Sequence, residues 1–292
     1  MIAGSVVRRW HLIGLAALCV LALACKGTNG AEPAPTGEAK PGLPSSMAAL
    51  GDSITAGIGT DACFPPVFTS AKCNRNSWAT GNVAAINSHY WRIRNGNSKM
   101  AGHAKNFARP GAQAVDLAAQ ADQAVKAKAQ YVTILIGAND ACAPTVAKMT
   151  SADRFRNQID EALDTLKRGL PKARVLVVSI PDLYRLWQLG HNDRFARFAW
   201  RLAECPSLLA RPTSTTDADD DRRHEVADRV DAYNTELAEA CQAYGRHCRW
   251  DGGKAHRVRF SLDLVNKVDY FHPNAAGQKA LAAATYPKRF RW

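Results

Sequence analysis

Ser53, Asn139, Asp269 and His272 are residues whose types and setting could together break an acyl bond. Ser53 lies in Gly51-Asp52-Ser53-Ile54-Thr55-Ala56-Gly57, Asn139 in Gly137-Ala138-Asn139-Asp140, and the last two in Asp269-Tyr270-Phe271-His272-Pro273. Acyl transfer needs a nucleophile, a base for its proton, an acid that orients the base, and donors for the oxyanion. Ser53 supplies the hydroxyl, and the imidazole of His272 is the side chain suited to shuttling a proton near neutrality. Asp269, three residues before His272, is near enough on one turn to accept from the imidazole and fix its tautomer. The donors are the backbone N–H of Ser53, the side-chain amide of Asn139 and the backbone N–H of Gly111 in Arg109-Pro110-Gly111-Ala112. Gly111 reads as the start of a helix, whose free N–H groups and dipole favour a developing negative charge.

Each motif alone also reads as ordinary turn or cap chemistry. What distinguishes the set is that each member follows an apolar run or opens a helix. Asp52 reads as a holder of the Ser53 loop, and Asp140 as a capping or loop-fixing residue beside Asn139. His103 and His191 fall in predicted loops without a carboxylate at short spacing and read as surface residues.

The elements that must position these residues are legible as continuous apolar runs. Residues 47–50, 131–136 and 174–180 read as buried parallel strands, too uniformly apolar for a half-exposed sheet. Between them, residues 113–130 and 153–170 carry helical patterns, so the order is strand, helix, strand, helix, strand, an α/β arrangement. Parallel sheets place ligand sites at the carboxyl ends of their strands, which is where Ser53 and Asn139 fall. A further helix over about 225–244 carries a core stripe of Val226, Val230, Tyr233, Leu237 and Cys241, and Pro273 opens a last helix. The long segment 183–224, with Trp187, Phe195, Phe198 and Trp200 before a polar run from Thr213 to Arg223, reads as a lid or as surface elaboration.

The 292-residue chain is 47% apolar and 22% charged, a globular composition long enough for one large domain, which excludes a disordered or fibrous class. Residues 1–24 differ: Arg8 and Arg9 precede an apolar stretch too short to span a bilayer and shaped like a secretory signal peptide. Ala22-Leu23-Ala24 fits a small-x-small cleavage site, while Leu21 to Cys25 loosely resembles the box before a lipid-modified cysteine. Plain secretion and a lipoprotein anchored through Cys25, in the periplasm or at the cell surface, both stay open. A twin-arginine signal is poorly matched by Trp10 and His11. Residues 25–46 have the Gly, Pro, Ala and Ser content of a flexible linker, leaving 47–292 as the folded domain.

Within that domain Cys63, Cys73, Cys142, Cys205, Cys241 and Cys248 form an even set, as expected where thiols oxidise. Many pairings are open; short local loops favour Cys63 with Cys73 and Cys241 with Cys248, leaving Cys142 for Cys205. Zinc ligation is the rival reading, without any CxxC pair to support it. The net charge of +12, part of it from the N-terminal arginines, suits a solvated basic exterior and could favour anionic lipid or cell-wall surfaces. Nucleic acid is not expected, because the basic residues are scattered rather than interleaved with aromatics.

The Gly51-Asp52-Ser53 motif with its following Thr55-Ala56-Gly57, a mid-chain glycine, Gly137-Ala138-Asn139-Asp140 and a late Asp269…His272-Pro273 resemble, in order, the four motif blocks of the SGNH hydrolases, also called GDSL lipases and esterases. The resemblance covers residues from about 47 to 284. It implies Ser53 as nucleophile, Gly111 and Asn139 as oxyanion donors, and His272 with Asp269 completing a triad. It also implies a three-layer α/β/α flavodoxin-like domain with a parallel sheet of about five strands, and neither metal nor cofactor. Ile54 stands where the family name has leucine, a conservative exchange, and residues 183–224 carry no family motif. The six cysteines resemble those of exported bacterial members with three disulfides.

The expected activity is that of an exported serine esterase acting on a small-molecule or lipid ester through an acyl-enzyme on Ser53, with no nucleic-acid partner and a monomeric state. A carbohydrate acetylesterase acting on a polysaccharide would use the same residues. From a different class, a surface binding protein on the same scaffold would have them without turnover.

Overall fold

The computed structural model describes residues 39–60, 63, 70–202, 204–290 and 292. The expected signal peptide, the linker as far as residue 38 and Cys25 lie outside the described residues. Five strands, Met47–Gly51 (β1), Ala104–Asn106 (β2), Tyr131–Leu135 (β3), Arg174–Val177 (β4) and Cys248–Trp250 (β5), form one parallel sheet in the order β2-β1-β3-β4-β5. All residues of β1 and β3 are buried, which is why their sequences are continuous apolar runs rather than alternating ones.

The strand order dictates the layers. From β1 the chain steps outward to β2, then returns past β1 to β3 and onward to β4 and β5. Parallel crossovers are right-handed, so the two directions of travel put their helices on opposite faces. On the second-travelled face the helices Leu117–Lys126, Ala152–Gly169 and Asp217–Tyr244 pack side by side. Phe155 stacks on Tyr233 at 4.2 Å, and Arg156 reaches Glu236 and Glu239 across the helix pair. The helices His89–Gly96 and Ala275–Thr285 meet at the buried His89. The point between β1 and β3, where the chain reverses its direction of travel, is the crevice at which open α/β sheets bind ligands.

Several boundaries differ from expectation. The helix expected over 113–130 is a 3-10 turn, Ala114–Asp116, followed by Leu117–Lys126. The strand expected over 174–180 ends at Val177. The long helix begins at Asp217 rather than near residue 225, so part of the polar run from Thr213 is helical. Asp217, Asp219 and Asp220 sit in its first turn, where acidic side chains offset the dipole's positive end. The segment 183–224 is not loose: it contains the helices Leu183–Gly190, Arg194–Trp200 and Pro206–Leu209. Disulfides join Cys63 to Cys73, Cys142 to Cys205 and Cys241 to Cys248, the pairing favoured by spacing.

His89 shows how the core is specified by polar groups as well as apolar ones. Its Nδ1 meets the Tyr131 hydroxyl and its Nε2 the Thr285 hydroxyl, each at 2.9 Å. Burial, with Arg92 nearby, pushes its pKa down to about 3, so the imidazole is neutral in the fold. An unfolded chain binds a proton there below about pH 6.5, so the folded state loses stability as pH falls from 6.5 toward 3. His89→Gln keeps a donor and an acceptor without titrating. Thermal unfolding followed across this range should show a shallower acid slope for the variant, by several °C on the order of magnitude expected for a domain of this size; parallel slopes would contradict the assignment.

Candidate active site

β1 ends in a turn that only glycine allows. Gly51 has φ of +144°, and a Cβ there would lie 2.0 Å from the Leu135 carbonyl oxygen at the end of β3. Gln120, on the inward stripe of the Leu117–Lys126 helix, holds Gly51 twice: its Oε1 accepts from Gly51 N at 2.7 Å and its Nε2 donates to Gly51 O at 3.0 Å. Asp52 then caps the single helical turn Ser53–Ala56, accepting from Ile54 N at 2.9 Å. Ser53 opens that turn and is 7% exposed. Its backbone N–H is among those that a helix start leaves without an intrahelical partner.

The segment Asp269–His272 meets Ser53 from the other side. Asp269 Oδ1 accepts from the backbone N–H of Phe271 at 2.8 Å and of His272 at 3.0 Å. Its Oδ2 lies 2.8 Å from His272 Nδ1, and His272 Nε2 lies 2.8 Å from Ser53 Oγ. A carboxylate accepts only, so the proton sits on Nδ1 and Nε2 is free to accept from the serine hydroxyl. Gly59, at φ +89°, makes the approach feasible: a Cβ on it would be 2.6 Å from the His272 Cβ. Asn266 locks the two segments together, its Nδ2 donating to Gly59 O at 2.6 Å while its N–H donates to His272 O at 2.9 Å. The following helix is capped by Asn274, with Pro273 just outside rather than at its first helical position.

The third side carries Asn139. Its Nδ2 donates to Ala112 O at 2.9 Å, and Gln113 Nε2 donates to Asn139 O at 3.1 Å, which sets the 111–113 loop beside it. Arg109 N donates to Gly51 O at 3.1 Å, bringing the same loop alongside the end of β1. Gly111 is not the start of a helix, as its sequence suggested. It is an exposed turn residue at φ +77°, a left-handed conformation that no right-handed helix includes, and the 3-10 turn begins only at Ala114. The helix-dipole argument for its N–H therefore lapses, while its place in the loop beside Asn139 stands.

Three loops thus converge at the carboxyl ends of β1 and β3 with serine, histidine, aspartate and asparagine together. The family model for GDSL-like lipases and acylhydrolases matches residues 47–285. The chain belongs to that family. Human membrane-associated phospholipase B1 is 29% identical over 178 residues, 51% of this chain and 12% of that protein, so this chain spans about an eighth of its relative. A solved structure from Parabacteroides merdae, assigned as a GDSL-like lipase, superposes with a TM-score of 0.52 over 86% of this chain and 96% of that one, at 16% identity. An acetyl-xylooligosaccharide esterase from Geobacillus gives a TM-score of 0.47 at 15% identity, covering 85% and 96% of the two chains. At such identity the Parabacteroides match speaks to the fold alone.

Two buried carboxylates lie beneath this GDSL-like site. Asp140 accepts from Ala114 N at 3.0 Å and from the Thr150 hydroxyl at 2.9 Å, fixing loops on either side of Asn139. Burial raises its pKa despite those bonds. Asp52 is fully buried and its Oδ2 has no partner among the described residues. Burial, reinforced by the Asp140 charge and opposed by the Ile54 hydrogen bond and by His272, pushes its pKa up to about 7. Glu204, also raised by burial, lies near enough to feel the charges of His272 and Asp269. His103 is exposed and His191 stacks on Trp187; neither bonds to these residues.

The supporting amides are what motif reading misses. Gln120 pins Gly51, Gln278 bridges Ile54 O and Trp78 N at 2.9 Å each, and Asn106 Nδ2 donates to Thr55 O at 2.8 Å. For Gln120 and Gln278 a signal exists: each occupies an inward helical position among Leu and Ala, where an amide must find a buried partner. Among the described residues no group of three His, Cys, Asp or Glu is arranged to hold a metal.

The Asp52 environment yields a signed test. Its folded pKa of about 7 exceeds the ordinary carboxylate value of 3.8, so its contribution to stability is present at low pH and lost as pH rises from about 4 through 7. Asp52→Asn retains the capping oxygen without ionising. The variant's melting temperature should gain on the wild type through this window and hold a gain on the order of several °C above it. A difference that does not change with pH would show Asp52 to be ionised throughout.

Proposed function

We propose that the protein is an exported serine esterase that hydrolyses carboxylic esters through an acyl-enzyme on Ser53. The observation that carries this reading is the continuous relay from Asp269 Oδ2 to His272 to Ser53 Oγ, with 2.8 Å at each step. Ser53 Oγ attacks the ester carbonyl while Nε2 of His272 takes its proton. Asp269, already bonded to Nδ1, stabilises the imidazolium and keeps the ring oriented. The backbone N–H of Ser53, the N–H of Gly111 and Nδ2 of Asn139 receive the oxyanion, where hydrogen bonds are worth most because the charge exists only in the transition state. His272 then returns the proton to the departing alcohol, leaving the acyl group on Ser53. A water molecule repeats the sequence: His272 takes its proton, the hydroxyl adds to the acyl carbon, and Ser53 leaves with the proton as the acid is released.

Asn139 needs only one of its two amide hydrogens for Ala112 O, which leaves the other for substrate. Export is supported by three disulfides, bonds that persist in oxidising compartments. Residues 1–24 are the proposed signal and 25–46 the proposed linker. Among the described residues no helix is long and apolar enough to cross a membrane.

The decisive assay is hydrolysis of nitrophenyl esters from acetyl to palmitoyl by the domain from Lys40 onward, with its disulfides formed. Ser53→Ala should abolish turnover, and Asn139→Ala should lower kcat by about 10² to 10³ with the fold intact. Full activity in Asn139→Ala would remove it from the oxyanion site, and activity surviving in Ser53→Ala would refute the acyl-enzyme.

A further inference from the structure

Among the described residues five large apolar side chains stand in solvent: Val115, Phe195, Phe198, Leu202 and Val268. Each flanks a segment already tied to the site. Val115 follows by two residues the Gln113 that bonds Asn139, and Val268 immediately precedes Asp269. The other three belong to the Arg194–Trp200 helix and the turn after it. That helix is anchored to the Asp269–His272 segment, because Trp200 Nε1 donates to Tyr270 O at 3.0 Å.

The helix is arranged opposite to an ordinary surface helix. Ala196, Ala199 and Trp200 face inward, while Phe198 is 67% and Leu202 74% exposed. The spacing of 195, 198 and 202 puts the large side chains on one outward face. Arg194, Arg197 and Arg201 repeat with the same spacing one residue earlier, so a cationic stripe runs beside the apolar one. Arg194 lies over the Phe195 ring at 4.5 Å, and Lys267, next to Val268, lies over Tyr270 at 5.4 Å. Asp193 is engaged as the helix cap, accepting from Phe195 N and Ala196 N. An apolar face rimmed by arginines is what an interfacial helix presents to a lipid surface.

We propose that this rim docks on an anionic phospholipid surface, with Phe195, Phe198, Leu202 and Val268 entering the interfacial zone and the arginine stripe meeting the lipid phosphates. The proposal rests on the esterase reading for its purpose, since docking would hold Ser53 at the surface where lipid esters are. A soluble polyanion would engage the arginines and leave the Phe and Leu face in water, which favours lipid as the occupant.

The test reads binding without turnover. Ser53→Ala protein is sedimented with vesicles of phosphatidylcholine and phosphatidylglycerol, and with phosphatidylcholine alone. Binding is expected to the mixed vesicles and to weaken about tenfold or more in two further variants, Phe198→Asp with Leu202→Asp and Arg194→Glu with Arg201→Glu. Added salt should reproduce only the second loss. All four side chains are exposed, and unfolding midpoints verify the fold. No sedimentation with anionic vesicles, or undiminished binding in the Asp variant, would overturn the proposal. Equal capture of parent and Asp variant by soluble polyphosphate, with no lipid binding, would replace the bilayer with a polyanion. Nitrophenyl ester hydrolysis by the wild type in water decides the esterase reading separately.

Discussion

The contact on which this structure depends is the 2.8 Å approach of His272 Nε2 to Ser53 Oγ, which joins residues 219 apart in sequence. It requires two stretches of backbone to run closer than side chains ordinarily permit. At Gly51 the end of β1 presses against the carbonyl that ends β3, and at Gly59 the chain leaving the serine turn presses against His272 itself. Both positions also need positive φ, so glycine serves shape and conformation together. Amides then hold the approach: Gln120 on Gly51, Asn266 between Gly59 and His272, and Gln278 beneath Ile54. Each is bonded at both ends of its reach, which is what makes burying a polar side chain tolerable and fixes the loops in one register.

The same burial sets the electrostatics. Asp269 keeps partial access to solvent and accepts from three donors, the backbone N–H groups of Phe271 and His272 and the ring Nδ1. Asp52, one residue from Ser53, has lost solvent, and burial outweighs the Ile54 hydrogen bond and lifts its pKa to about 7. Asp269 is bonded to the ring at Nδ1 and so is placed to polarise it, whereas Asp52 is bonded to the serine turn. Environment, rather than residue type, separates an orienting acid from a structural cap.

Much of this was legible in the sequence, for physical reasons. β1, β3 and β4 are buried on both faces, so their residues must be apolar without alternation, and the runs are visible. β2 and β5 are three-residue edge strands containing Lys105 and Arg249, and no apolar run marks them. The first turns of the Asp217–Tyr244 helix were hidden because they bury ionic rather than apolar groups. Arg223 is 1% exposed with its guanidinium over Trp187 at 4.3 Å, and Asp219 is buried against Arg222. Ser53, Asn139, Asp269 and His272 stood out because chemistry limits their types and strand ends limit their places. Gly111 was misread in conformation, since Pro-Gly is compatible with a turn or a helix start and only the neighbouring loop decides.

The segment 183–224 carried no family motif, yet it is fastened to the two loops that hold the proposed acid, base and amide donor. Cys205 is bonded to Cys142, three residues after Asn139, and Ser207 donates to Ala141 O and Ala143 O. Trp200 holds Tyr270, which at φ +53° is the strained residue between Asp269 and His272. A segment attached this way cannot move far without disturbing either loop. These ties make the described parts of the segment a wall shared by the two loops. Those ties are what would let a docking face on the insertion orient a bound ester, because Trp200 connects the exposed helix directly to the segment that carries Asp269 and His272.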